Sequence, residues 1–132
     1  MDDATRAAVD RWMSKAEHDI VTAIRLLGVT PALPDVVCFH AQQCAEKTLK
    51  AFLVGAGIHV ERTHYLPRLL ELCRGADGSF DDLVADATSL TDYAVSARYP
   101  DVEEPDPSVE EAEAATAASE RVLDFVRARF AL

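Results

Sequence analysis

Apolar side chains recur at three- and four-residue steps in five stretches of this 132-residue chain, and each predicts an amphipathic helix. The first spans about 3–27, with Val9, Trp12, Ala16, Ile20, Ala23 and Leu27 on its inward stripe and Gly28 as its stop. The second spans about 34–56: Pro34 suits a first helical turn, and Gly55 or Gly57 ends it. The third spans about 64–74, with Thr63 as its N-cap and Pro67 tolerated because it falls in the first turn. The fourth spans about 79–98, capped by Ser79 and inward along Phe80, Val84, Ala87, Thr91 and Ala94, with Tyr99 and Pro100 ending it. The fifth spans about 107–130, with Asp106 as N-cap, Pro107 at the first helical position, and Ala112, Ala115, Ser119, Val122, Val126 and Phe130 inward. GIHVERT comes nearest to a strand and is too short to build a sheet. The predicted fold class is therefore all-α, a compact antiparallel bundle of four or five helices forming one domain over 1–132.

Composition narrows this picture. With 49% hydrophobic and 27% charged residues the chain is globular rather than disordered, and only 7% aromatic residues among many alanines favours closely packed helices. No basic segment leads into an apolar core at the N-terminus, and no run of about 18 apolar residues occurs, so a cytoplasmic protein with no membrane contact is expected. Cys38, Cys44 and Cys73 form no CxxC and are odd in number, which reads as structural thiols rather than a redox or metal site.

A formal net charge of −10 argues against broad, sequence-independent nucleic-acid binding. Its distribution is uneven: residues 1–35 carry −2, residues 36–74 carry +2 and residues 75–132 carry −10. The cationic middle third also holds His40, His59 and His64, three of the four histidines, so a site for an anion is expected there.

That segment contains CFHAQQCAEKTLKAF, residues 38–52, where polar groups interrupt a helix with a wide apolar face. On a helical projection His40, Gln43, Lys47 and Lys50 form one polar stripe, which reads either as a solvated face or as part of a site. Gln42 and Glu46 instead fall among Leu49, Leu53 and Phe39, at the edge of packing. Polar groups placed there need hydrogen-bond partners, most simply an arginine from another helix. Arg98, eleven residues after Ala87 and eighteen after Phe80, falls within about 20° of both and is the candidate. It reads equally as a cap on the last carbonyls of its own helix or as a phosphate-binding guanidinium. His64 likewise reads as a companion of Thr63 in capping or as a functional imidazole. His40, Glu46 and His64 match no recognised metal-ligand pattern, so neither metal nor cofactor is expected.

FHAQQCAEKTLKAFL, then THYLPRLLEL, then YAVSARYPD, preceded by RWMSKAEHDIVTAIRLL, resembles the HEPN (higher eukaryotes and prokaryotes nucleotide-binding) domain family over roughly residues 10–100. The resemblance implies a helical bundle, a homodimer, and a partnership with a small MNT-type nucleotidyltransferase, in some members as toxin and antitoxin. It also implies, for many members, metal-independent ribonuclease activity using an Arg and a following His with four to six residues between them. Here Arg98 is followed by YPDVEEP, without histidine. Arg11 and His18 fit the spacing numerically but lie in the first helix, where the resemblance does not place the motif, beside the polar groups Lys15, Thr22 and Arg25.

The function expected from the sequence is a nucleotide-binding or nucleotidyltransferase-partner module acting as a homodimer. Its expected ligand-binding residues are His40, Gln42, Gln43, Glu46, Lys47, His64, Arg98 and Tyr99. The alternatives are a metal-independent ribonuclease toxin with Arg98 and His64 as catalytic candidates, acting on RNA, and a structural dimer without ligand.

Overall fold

In the computed structural model, which describes residues 1–94, 100 and 105–131, the chain is a bundle of helices. α1 is Asp3–Leu26, α2 Pro34–Gly55, α3 Leu66–Ala76, α4 Val84–Leu90 and α5 Val109–Phe130. Two 3-10 segments, Gly78–Leu83 and Thr91–Ala94, flank α4. No strand occurs among the described residues, and no described helix is long and apolar enough to cross a membrane.

α2 is the hub, packing against α1, α5, α3 and α4, with its longest contacts to α1 and α5. Its fully buried positions include Val37, Cys38, Ala41, Cys44, Leu49, Ala51 and Leu53, which cover most of its circumference. Small residues set the spacing. Ala112, Ala115 and Ser119 bring α5 close enough for the Ser119 hydroxyl to donate to the Ala41 carbonyl at 2.7 Å. At the far end Phe80 packs between Phe52 and Phe125, with ring centroids at 4.5 and 4.8 Å, tilted against the first and edge-to-face with the second.

Several helix starts differ from expectation. Ser108, not Asp106, caps α5: its hydroxyl accepts from the Glu111 amide at 3.0 Å, a capping-box arrangement with the acid three residues on. Thr63 does not cap α3; its hydroxyl accepts from the Tyr65 amide at 3.1 Å in a turn ahead of the helix, and Tyr65 holds the cap position without a side-chain bond. The expected continuous fourth helix is broken. Asp77, rather than Ser79, caps it by accepting from the Ser79 amide at 3.0 Å, and the chain then winds as a 3-10 segment.

This changes which residues face the core. In a 3-10 helix, positions three apart lie in line, so Leu83 follows Phe80 inward and Val84 is turned out, 41% exposed. The buried series is thus Phe80, Leu83, Ala87 and Leu90 instead of Phe80, Val84, Ala87 and Thr91. In α1 the inward stripe includes Met13 and Asp19, while Trp12 is only half-buried beside α2.

Candidate functional site

Gln42 and Glu46 lie one turn apart on α2 and are buried, more deeply than at the packing edge where the sequence placed them. Glu46 Oε1 is 2.8 Å from Nδ1 of His64, and Glu46 Oε2 accepts from Nζ of Lys50 at 3.0 Å. Gln42 Nε2 donates to the His64 carbonyl at 3.1 Å, and Gln42 Oε1 accepts from Gln43 Nε2 at 2.7 Å. The loop before α3 is therefore tied to α2 through both the ring and the backbone of His64. Among the described residues every buried side-chain nitrogen and oxygen has a partner.

The partner that the sequence reading sought in Arg98 is thus supplied by His64 and Lys50. Arg98 and Tyr99 lie outside the described residues. Lys50, placed by its projection in the polar stripe, is buried: Glu46 neutralises it one turn away, and its ammonium lies 5.7 Å from the ring centroid of Trp12.

His40 and Lys47 meet a second carboxylate that sequence reasoning missed. Asp19 of α1 is buried, with Oδ1 at 2.9 Å from His40 Nδ1 and Oδ2 at 2.6 Å from Lys47 Nζ. The signal for it was its register: Asp19 lies three residues after Ala16 and four before Ala23, both on the inward stripe. An acid there must find polar partners across the helix interface, and α2 provides them in His40 and Lys47.

Along the same seam, α1 and α2 enclose a groove of about 250 Å³ lined by Arg11, Trp12, Lys15 and Lys47. Arg11 and Lys15 stand one turn apart and are exposed, and neither makes an ion pair among the described residues. The polar face of α1 that the sequence presents as ordinary is therefore one wall of a cationic groove with an indole in it. Such a lining suits an anion attached to a flat, apolar group: the guanidinium and ammonium groups for phosphate oxygens, Trp12 for a ring face.

Thiol chemistry contributes nothing to this site. Burial pushes the Cys38 and Cys44 thiols up to about 11 and the Cys73 thiol to about 12, so all three are held protonated. Among the described residues no cluster of three His, Cys, Asp or Glu side chains is arranged to hold a metal ion.

The family model for the HEPN domain matches residues 9–129, which includes every residue of the groove and of both carboxylate clusters. The chain belongs to the HEPN domain family. Two solved structures share the HEPN bundle. TT1696 from Thermus thermophilus is 32% identical, with a TM-score of 0.72 over 90% of this chain and 95% of that one. ST0689, an archaeal HEPN homologue, is 28% identical, with a TM-score of 0.72 over 92% of this chain and 96% of its own. Comparison with curated proteins gives no match. The helical class and the family expected from the sequence are thus both shown.

Proposed function

We propose that this HEPN protein is a binding module for a nucleotide, with the phosphates held by Arg11, Lys15 and Lys47 and the base laid against Trp12. The observation that carries this reading is the groove itself, where two cations without carboxylate partners among the described residues stand beside an indole. Asp19 and Glu46 act beneath it as positioning residues: Asp19 fixes Lys47, and Glu46 fixes Lys50 against Trp12. The cationic character is local, since residues 75–132 carry −10, and this favours a small anion over a long polyanion.

Calorimetric titration with mono-, di- and triphosphates of adenosine and guanosine tests the reading. Binding near the micromolar range is expected, with each of Arg11→Ala and Lys15→Ala weakening it about tenfold, as loss of a charge-assisted hydrogen bond does. Trp12→Leu weakens nucleotides while leaving inorganic pyrophosphate unaffected. Absence of heat with all six nucleotides overturns the proposal.

Self-association into a homodimer and docking of an MNT-type nucleotidyltransferase belong to the same reading. Supporting self-association, Val21, Ile24, Val29 and Leu33 leave apolar side chains exposed along α1 and the loop that follows it. Light scattering across a concentration series distinguishes dimer from monomer.

A further inference from the structure

We infer that His64 is a phosphoryl-accepting nucleophile, oriented by Glu46 and presenting Nε2 to solvent. Three features of the site carry this. The Glu46 side chain is only 4% exposed, whereas the His64 side chain is 65% exposed, so a buried carboxylate grips one ring nitrogen and leaves the rest of the imidazole outside. Glu46 accepts from Lys50 through its other oxygen, which marks it as a carboxylate with acceptors only; Nδ1 of His64 then carries a proton, and in the neutral ring Nε2 holds the lone pair. The His64 backbone is fixed as well, by the bond from Gln42 Nε2 to its carbonyl.

Placement favours an anion on the ring. Tyr65, the next residue, is the N-cap of α3, whose dipole begins there with its positive end. The other histidines lack this combination. His18 and His59 are exposed but have no ring hydrogen bond among the described residues. His40 is bound at Nδ1 by Asp19, but its side chain is only 27% exposed and its ring lies 5.3 Å from that of Phe39.

The donor class is a phosphoryl group carried on nitrogen or on an acyl oxygen. The Nε2 lone pair forms a bond to phosphorus as the bond from phosphorus to the leaving group breaks, and the leaving group departs with that electron pair. With phosphoramidate, whose nitrogen is protonated, the leaving group is ammonia. The Nδ1 proton stays on the ring, and the positive charge the imidazole acquires faces Glu46 Oε1. This step is independent of the groove reading, because it requires neither Arg11 nor Trp12.

Potassium phosphoramidate is the probe. The native 132-residue chain is treated near neutral pH, and acid-labile phosphoryl adducts are assigned to individual histidines by mass spectrometry over time. His64 is expected to react at least about tenfold faster than His18 and His59 in the same molecule, and Glu46→Gln to slow His64 about tenfold, the scale on which such orienting carboxylates act. The comparison among histidines within the unsubstituted protein holds whether or not Glu46→Gln folds. Modification of His64 no faster than His18 and His59, or first modification at His40, overturns the inference.

Discussion

Asp19 and Lys47, on different helices and 28 positions apart in sequence, meet at 2.6 Å beneath the floor of the groove. Because His40 Nδ1 lies 2.9 Å from the same carboxylate, a single buried acid holds a lysine and a histidine of α2 in place and pins α1 against it. Removing the acid strands those groups where water reaches them only partly. Asp19→Asn is therefore expected to lower stability by about 1–3 kcal/mol, below the cost at a fully buried pair because Lys47 keeps some contact with solvent. Urea unfolding gives the value. The Asp19→Asn/Lys47→Met double variant should recover part of the loss, and strictly additive single effects would show that the two residues do not interact.

Gly55 ends α2 where three elements converge. A Cβ at this position would lie 2.7 Å from Cε1 of Phe130 and 3.3 Å from Cγ2 of Val9. Alanine gains about 1 kcal/mol in helix propensity over glycine, while overpacking costs about 1–3 kcal/mol. Gly55→Ala is expected to destabilise by up to about 2 kcal/mol, since the Phe130 ring would have to shift away from the new methyl group. Adding Phe130→Leu opens the space and should return the melting temperature toward that of the Phe130→Leu variant alone. A Gly55→Ala protein that melts higher than the parent contradicts the packing described.

How far the sequence reveals this molecule depends on whether a residue acts through local periodicity or through a distant partner. The stripes of α1, α2 and α5 are local, and Val9, Ala16, Leu49, Ala112 and Val122 are buried where their spacing puts them. The segment after Asp77 departs because a side-chain cap starts a 3-10 turn, and a three-residue period displaces Val84 in favour of Leu83. Ser108 was legible in principle: Ser-x-x-Glu ahead of an apolar run is a capping box, but Pro107 drew the start of α5 earlier. The need of Gln42 and Glu46 for partners followed from their projection, but the identity of the partners did not. Lys50 stands four residues after Glu46 on the same helix, a spacing that was legible, but its burial beside Trp12 was not; His64 is brought to Glu46 by the path of a loop, which has no signature in spacing. Arg11 and Lys15 looked like ordinary surface because the opposite wall of their groove belongs to α2.

The three thiols give a prediction in alkaline solution. Burial raises Cys38 and Cys44 from 9.0 to about 11 and Cys73 to about 12, so the fold favours the protonated form. The resulting stability is fully present below the unfolded value and is lost as pH rises from there through the folded values. The urea midpoint is therefore expected to fall between about pH 9 and 12, and a Cys73→Ala variant to fall less. At about pH 8 an aromatic disulfide reagent should modify the thiols of the native chain only as fast as the chain unfolds, and all three at once in denaturant. A thiol that reacts at the rate of a free cysteine in the native protein contradicts this burial.

Asp77 gives the opposite sign in acid. Its carboxylate accepts from the Ser79 hydroxyl at 2.5 Å, from the Ser79 amide at 3.0 Å and from Nε of Arg129 at 3.3 Å. The Ser79 bonds, and after them Arg129, hold it below the usual carboxylate range. A depressed folded value means that stabilisation is present above the unfolded value and disappears as pH falls through the folded one. The arrangement joins the start of the 3-10 segment to the end of α5, where the Arg129 guanidinium also lies 3.3 Å from the ring centroid of Phe125. Asp77→Asn should therefore have a lower urea midpoint than the parent near neutral pH. The gap should narrow as pH drops below about 4, because the parent loses what the variant lacks already. A gap that stays constant from neutral pH to about pH 3 would mean that Asp77 stabilises the junction through packing and neutral hydrogen bonds rather than through its charge.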